Sequence, residues 1–589
     1  MPARSEIDDK FKWAVSDLYS SDEAWEKDYN SILELTDQPS ELKGRMGESA
    51  GMLYKALKEY EQVEYITERV YVYAFMKYYE DTGNSKYQEI SGKAQMAAMK
   101  VSEKYAFLEP ELISIDADVL DKYISEDERL GMYKHFIDDC LAGKHTLSEK
   151  EEALLAKASQ MSTVPDEVFS KFNNADVKFG KVKRENGQED ELTNGNFATF
   201  MESQDRAVRK AAFEALYKQY GAYINTIAAA FYGNVKQAMF YADARGYKST
   251  LNMYLDGSFI PENVYKNLIK TVNDNLDKMY CYVDIRKKAL GVDELHFYDI
   301  YAPMVEDIDW KISYDEAKDI VVKALAPMGE EYVSHIKEGF NNGWVDVYEN
   351  TGKRSGAFSW GAYGTHPYVF LNYSDTLNDV FTVIHEMGHA MHTYYSNANQ
   401  PYIYAGYKIF VAEVASTCNE AILMQYMLKN TDDEKKKRYL LNHFFEQFKG
   451  TLYRQTMFAE FEMEAHAKAE HGEVLSAESL CAMYKKLNEK YFGPDMVIDD
   501  EIALEWARIP HFYTPFYVYQ YATGYSAAIA ISTKILAGDE QVIAGYRKFL
   551  SGGSSMHPIE LLKLCGIDMT RPDVVQEALD VFGELLKQW

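Results

Sequence analysis

The run Val380-Phe381-Thr382-Val383-Ile384-His385-Glu386-Met387-Gly388-His389-Ala390-Met391-His392 contains the pattern H-E-x-x-H. On a helix, positions i and i+4 share a face, so His385 and His389 can chelate one zinc ion. Imidazole suits zinc, and zinc lowers the pKa of a water that it holds. Glu386, one position on, can take that proton, which makes it a base rather than a ligand. The pattern therefore points to metal-assisted hydrolysis. With 13 His in 589 residues, chance supplies H-E-x-x-H about 0.03 times in such a chain, so two solvated histidines on a helix face are the weaker explanation. The apolar flank Val380, Phe381, Val383 and Ile384 predicts a buried helix, where such a site must sit.

A catalytic zinc site wants a third protein ligand and one open position. His392 is the nearest candidate, but it lies about 10.5 Å along the helix axis from His385, at about 1.5 Å per residue. It is expected as a wall of the site, or as a group that orients a ligand, ahead of direct ligation. A second helix is the better source. Ile409-Phe410-Val411-Ala412-Glu413-Val414-Ala415-Ser416-Thr417-Cys418-Asn419-Glu420 sets Glu413 in an apolar run, and a carboxylate on a buried face needs a partner such as a metal. Glu420 is i+7 from Glu413 and faces the same way, so it can orient a ligating imidazole or form a plain salt bridge. Glu462 and His466, also i and i+4, are expected on a solvated or packing helix face, and His443 as a packing residue.

Helices must carry most of this. Residues 1 to about 175 read as successive helices, at 52–79, 85–108, 116–142 and 148–160, the last three opening at the Ser or Asp candidates Ser85, Asp116 and Ser148. The pattern breaks at Val177–Leu192, where a short strand-like run meets Asn186-Gly187, a hairpin signal. This is the expected boundary between an N-terminal helical lobe, 1–190, and a larger region, 191–589. Three further runs, 344–348, 355–360 and 367–373, suggest a small antiparallel meander just before the H-E-x-x-H helix. From Thr376 on the chain reads as helical. The fold class is mainly α, with that small antiparallel sheet beside the motif helix.

Composition narrows the partners. The net charge is −29, from 63 Lys and Arg against 92 Asp and Glu, which argues against a nucleic-acid backbone or an anionic lipid surface as partner. No run approaches the roughly 18 to 20 apolar residues of a membrane helix, and MPARSEIDDKFKW lacks a signal-peptide core. Five scattered cysteines with no C-x-x-C favour a reduced, cytoplasmic setting. The 47 tyrosines suit helix interfaces or a polar cleft, each offering a ring and one hydroxyl, though lineage bias would account for them as well.

The H-E-M-G-H helix, the F-V-A-E-V-A-S-T-x-N-E helix, and the G-A-F-S and P-Y-V-F-L-N-Y strands resemble the thimet oligopeptidase family of zinc metallopeptidases, and more narrowly its oligoendopeptidase F branch. Phe11-Lys12-Trp13 through Asp17-Leu18-Tyr19 to Trp25, and Arg508-Ile509-Pro510-His511-Phe512-Tyr513 through Phe516 to Gly524, extend the likeness over nearly the whole chain. The resemblance implies two helical lobes enclosing a deep channel, 191–589 as the catalytic part, and endoproteolysis of short unstructured oligopeptides with one zinc ion per chain. It implies His385, His389 and Glu413 as zinc ligands and Glu386 as general base. It also implies that substrate backbone lies on the strand Gly356-Ala357-Phe358-Ser359, and that His511 with Tyr517 or Tyr521 stabilises the oxyanion; Tyr517 and Tyr521, at i and i+4, could equally be a packing stripe. The alternatives are a zinc carboxypeptidase of related fold and an inactive peptide-binding protein. Cleavage preference, peptide length and oligomeric state are not encoded in these motifs.

Overall fold

The computed structural model describes residues 1–38, 40–142, 145, 147, 149–306, 308 and 310–589. The chain is mainly helical, with a few very short strands in small sheets. It forms two compact units, each assembled from three stretches. Unit 1 comprises Met1–Lys144, Asp309–Leu423 and Ile531–Gly566; unit 2 comprises His145–Ile308, Met424–Ala530 and Ile567–Trp589. A division near residue 190 is one of sequence; unit 2 takes residues from both sides of it. Among the described residues, no helix is long and apolar enough to cross a membrane.

In unit 1, α1 (Ala50–Glu80) starts where the Ser49 hydroxyl accepts the Met52 N–H. α2 (Ser85–Tyr105) is capped by Asn84 rather than by Ser85. The single helix expected over 116–142 is instead three pieces: Ala117–Glu126, a 3-10 turn Glu128–Tyr133, and α3 (Lys134–Leu141). The break falls at Asp127, which is extended and whose carboxylate accepts the Arg129 N–H and pairs with its guanidinium. This local side-chain bonding offers the backbone an alternative to the helix. The cap expected at Ser148 lies outside the described residues; the helix after it runs Glu149–Ser162.

The small sheet corrects one expectation. Its strands are β1 (Val345–Asp346), β2 (Phe358–Trp360) and β3 (Tyr368–Phe370), in the order β1-β3-β2. β2 is antiparallel to β3, but β1 is parallel to it, so the sheet is mixed rather than an antiparallel meander. The turn after β1 does not close a hairpin because its backbone groups are bonded elsewhere. Thr351 N–H donates to the Pro2 carbonyl, Arg354 N–H to that of Tyr79, and the Gly352 carbonyl accepts the Thr82 N–H. That tether carries the chain past β3, so β2 pairs on its far side and becomes an edge. Phe358 and Trp360 of β2 pack on a core with Val63, Val70 and Tyr73 of α1.

Beyond the sheet, α4 (Leu377–Asn399) begins in a capping box between Thr376 and Asp379. α5 (Tyr402–Ala405), α6 (Ile409–Lys429) and, after the excursion through unit 2, α7 (Pro558–Lys563) complete the elements around the site. α4 is buried on most of its circumference, as its apolar flank predicts, with Val380, Ile384, Met387 and Met391 all solvent-free.

Unit 2 holds the predicted hairpin, Lys181–Lys183 against Glu189–Glu191. It also holds a parallel pair, Leu295–His296 with Met496–Val497, that sequence reading does not anticipate. Glu462 and His466, on the helix Arg454–Glu470, are not solvated: both are buried. One Glu462 oxygen accepts the Phe516 N–H at 2.9 Å, and Thr250 Oγ1 lies 2.9 Å from His466 Nδ1. Burial pushes the Glu462 carboxyl up to about 8, although the Phe516 N–H opposes it. His443 is half-buried and lines a cavity beside Glu446 and Lys449.

Candidate functional site

α4 and α6 cross at Gly388. A Cβ there would stand 2.6 Å from Ser416 Cα, 2.8 Å from the Ala415 carbonyl oxygen and 2.9 Å from Ser416 N. Real Cβ atoms do not come so near backbone, so glycine sets how closely the helices approach. Asn419 ties the same crossing: its Nδ2 donates to the Ile384 carbonyl at 3.4 Å, and its Oδ1 accepts the Tyr332 hydroxyl.

This contact brings together three donors. Glu413 Oε2 lies 3.4 Å from His389 Nε2 and 3.5 Å from His385 Nε2, and the two rings stand nearly perpendicular, centroids 4.9 Å apart. Ligands about 2.0–2.1 Å from a tetrahedral zinc lie about 3.4 Å from one another. The spacing is thus that of a zinc site's edges, and the two-His, one-carboxylate set leaves a position open. Ser416 Oγ donates to Glu413 Oε2 at 3.0 Å and fixes the carboxylate. Glu420 Oε1 lies 2.5 Å from His385 Nδ1, which holds that ring with Nε2 toward Glu413.

The electrostatics favour a cation. Burial disfavours charge on His385, yet Glu420, with Glu386 and Glu413 behind it, pushes its imidazole up to about 9. Burial would raise the Glu413 carboxyl, but His389 and His385 hold it down to about 2. Glu386 is buried, and its carboxyl is raised, first by burial and then by Glu413 and Glu420, against the pull of the two histidines. Three carboxylates thus surround two imidazoles, an excess of negative charge that a divalent cation would balance.

His392 stands outside this trio. Its ring stacks on Tyr407, centroids 3.7 Å apart and 6° from parallel, and burial draws its imidazole down to about 3. Tyr407 in turn lines a cavity of about 530 Å³ with Glu61, Glu64, Glu68, Ser359, Trp360 and Thr393. A smaller cavity of about 220 Å³ opens at the other end of β2, lined by Gly356, Ala357, Asn372 and Thr382. Asn372 Nδ2 donates to the carbonyls of Arg354 and Gly356 and fixes the approach to the strand. Phe358 stacks on Phe370, and Ser359 Oγ donates to the Tyr368 carbonyl. β2 therefore runs from one cavity to the next with its outer edge unpaired among the described strands.

His511, Tyr517 and Tyr521 belong to unit 2 and form a cluster there. The rings of His511 and Tyr517 are parallel with centroids 6.2 Å apart, Tyr521 lies edge-on to both, and the Tyr521 hydroxyl donates to that of Tyr517 at 3.4 Å. Partial burial, and then the charge of Arg454, draw the His511 imidazole below its usual value.

Residues 199–581 match the family described as peptidase family M3, and 111–179 match oligopeptidase F. The chain belongs to peptidase family M3. It is 49% identical to oligopeptidase PepF of Bacillus subtilis over all of this chain and 88% of that one. The solved structure of oligoendopeptidase-F from Enterococcus faecium matches with a TM-score of 0.75 at 35% identity, covering 96% of this chain and 98% of that one. A Chlamydophila abortus structure described as a peptidase matches with a TM-score of 0.95 at 34% identity, covering 100% and 99%. The M3 chain is thus a metalloendopeptidase of the oligoendopeptidase F branch. Within it, Gly388, Ser416 and Tyr407 are the residues that motif reading passes over. Only the glycine left a sequence signal, as an unusual residue inside a buried helix.

Proposed function

We propose that this M3 peptidase is zinc-dependent and hydrolyses internal bonds of short, unstructured oligopeptides. The observation that carries the reading is the convergence of His385, His389 and Glu413 at the spacing of zinc ligands, with Glu386 beside them. Zinc, when bound by these three, supplies the Lewis acidity that makes a water nucleophilic near neutral pH and polarises the peptide carbonyl.

The chain's own residues do the rest. Glu420 holds the His385 ring, and Ser416 holds the Glu413 carboxylate. Glu386 takes a proton from the attacking water as its oxygen bonds to the carbonyl carbon. It then delivers that proton to the amide nitrogen as the C–N bond breaks, giving a carboxylic acid and an amine. In this reading His511, with Tyr517 or Tyr521, is the donor to the developing oxyanion, a role worth about 3 to 4 kcal/mol for one well-placed donor. The unpaired edge of β2, through Gly356, Ala357, Phe358 and Ser359, binds substrate backbone by strand addition, which is tolerant of side chains. Cavities at both ends of β2 support room for residues on either side of the cut. The two family matches flank residue 190, which supports 191–589 as the catalytic stretch.

The test is cleavage of an internally quenched peptide with and without a chelator, with zinc added back and products read by mass spectrometry. Chelator-sensitive internal cuts restored by zinc are expected. Single terminal losses would replace the reading with a carboxypeptidase. No cleavage of any peptide by the zinc-loaded protein would replace it with a peptide-binding role.

A further inference from the structure

A second set of metal donors converges in unit 1, at residues that none of the chemistry above uses. His135 and Asp139 are i and i+4 on α3 and share one face. His557 sits at the residue before α7, far along the sequence. Asp139 Oδ1 lies 3.8 Å from His135 Nδ1 and 3.8 Å from His557 Nε2, and the two rings are 5.2 Å apart between centroids. The three donor atoms all lie within 4.8 Å of one another.

We propose that His135, Asp139 and His557 form a second divalent-metal site, one that takes zinc or its neighbours nickel and copper. The donor set decides the class. Two imidazoles and one carboxylate suit borderline transition ions, whereas magnesium and calcium demand oxygen ligands. The spacing decides the fit. Contraction of the two 3.8 Å edges, and of a third that is at most 4.8 Å, to the roughly 3.4 Å edge of a tetrahedral zinc site needs side-chain rotations alone. Exposure decides the exchange with solvent. The three side chains are 25%, 25% and 32% exposed, so water completes the shell and the ion exchanges with solvent. The His385, His389 and Glu413 side chains are about as exposed, at 28%, 17% and 46%, but there Glu420 and Ser416 orient the ligands, so binding at the second site is the weaker for want of such orienting bonds. The chain's net charge of −29 raises the local cation concentration at any such site.

The position gives the site a consequence. Tyr404, on α5, lies between the two ligand-bearing segments. Its ring meets that of His135 at 5.8 Å, its hydroxyl accepts the Phe136 N–H and donates to the Met132 carbonyl, and its own carbonyl accepts the Ser554 N–H. Phe136, Tyr402, Ile403 and Ala405 line the cavity at the end of β2. A metal held by His135, Asp139 and His557 clamps the outer side of that wall, joining α3 to the segment before α7 with α5 between them. The site is thus a metal-dependent brace on a cavity wall, separate from the ion used in hydrolysis.

The test uses the full chain loaded with one zinc and dialysed free of loose metal, then titrated with zinc in a calorimeter. One further zinc per chain is expected in the unaltered protein, lost in both His135→Gln and His557→Gln. Both variants should keep the first zinc and an unchanged far-ultraviolet spectrum. In His385→Ala the weaker event should persist while the tighter one is lost, which separates this proposal from the catalytic reading. Absence of a second zinc at millimolar metal would overturn the proposal. So would a second event that survives in both His variants, since the ion would then sit elsewhere.

Discussion

Substitution of Gly388 by Ala tests whether helix contact, rather than the H-E-x-x-H motif alone, makes the metal site. The added Cβ meets Ser416 Cα at 2.6 Å and the Ala415 carbonyl oxygen at 2.8 Å. Both are backbone atoms and cannot swing aside. Relief to ordinary contact, about 3.4 Å or more, requires α4 and α6 to part by about 1 Å, and overpacking of this kind costs about 1–3 kcal/mol. Glu413 lies one turn before Ser416, and His389 adjoins Gly388. The same 1 Å carries Glu413 Oε2 from 3.4–3.5 Å to about 4.4 Å from the imidazole nitrogens, beyond the roughly 3.4 Å edge of a tetrahedral site. A misplacement of that size costs on the order of a hundredfold in rate. The readouts are zinc per chain after dialysis, kcat/KM on a quenched peptide, and the thermal midpoint. Gly92→Ala is the control. Gly92 lies exposed in α2 with nothing within 4 Å of its added Cβ, so alanine should stabilise that helix by about 0.5–1 kcal/mol. If Gly388→Ala keeps one zinc per chain and a kcat/KM within about threefold of the parent, the reasoning fails.

Glu386→Gln should keep its zinc by elemental analysis while kcat falls by at least about a hundredfold; unchanged kcat would remove Glu386 as the base. Glu420→Gln should weaken zinc affinity about 10- to 100-fold without abolishing it, through loss of the bond that orients His385, whereas Glu413→Ala should lose the metal outright; competition with a chelator measures both. The acidic cavity wall at the end of β2 should favour cationic peptides, so Glu64→Gln with Glu68→Gln should lower kcat/KM for Lys-rich peptides several-fold more than for Glu-rich ones at low salt. Glu462 gives the pH test. Its folded pKa, about 8, lies above the ordinary carboxyl value, so the native state holds a proton that the unfolded chain releases. Stability from this group is present below the unfolded pKa, near 4.5, and is lost as pH rises toward 8. Glu462→Gln, which can still accept the Phe516 N–H, should leave stability at pH 4.5 unchanged and raise it at pH 8, by on the order of a few kcal/mol. Parallel denaturation curves at the two pH values would refute this.

Local spacing carries much of the candidate site. His385 and His389 share a face because they are four apart on a helix, and Glu413 and Glu420 because they are seven apart. Those relations hold whatever the tertiary fold, so the Glu420 partnership with His385 was open to inference once both helices were placed in sequence. The hairpin at Asn186-Gly187 was legible for the same reason, since its turn chemistry is local. The helix break at Asp127 was less so, because an Asp within an apolar periodicity signals a cap or an exposed face equally well.

What the sequence by itself determined was therefore the helical class, the H-E-x-x-H face and Glu413 as the candidate third donor. The tertiary structure alone decided the rest. Strand direction in the site sheet followed from distant tethers at Pro2, Tyr79 and Thr82, and the burial of Glu462 from packing that its polar type argues against. The closeness of α4 to α6 rested on one missing Cβ at Gly388, and the meeting of His557 with His135 and Asp139 on two segments far apart in the chain. Periodicity reports which residues share a face of one element; which faces then touch depends on contacts between elements, and no local pattern encodes them.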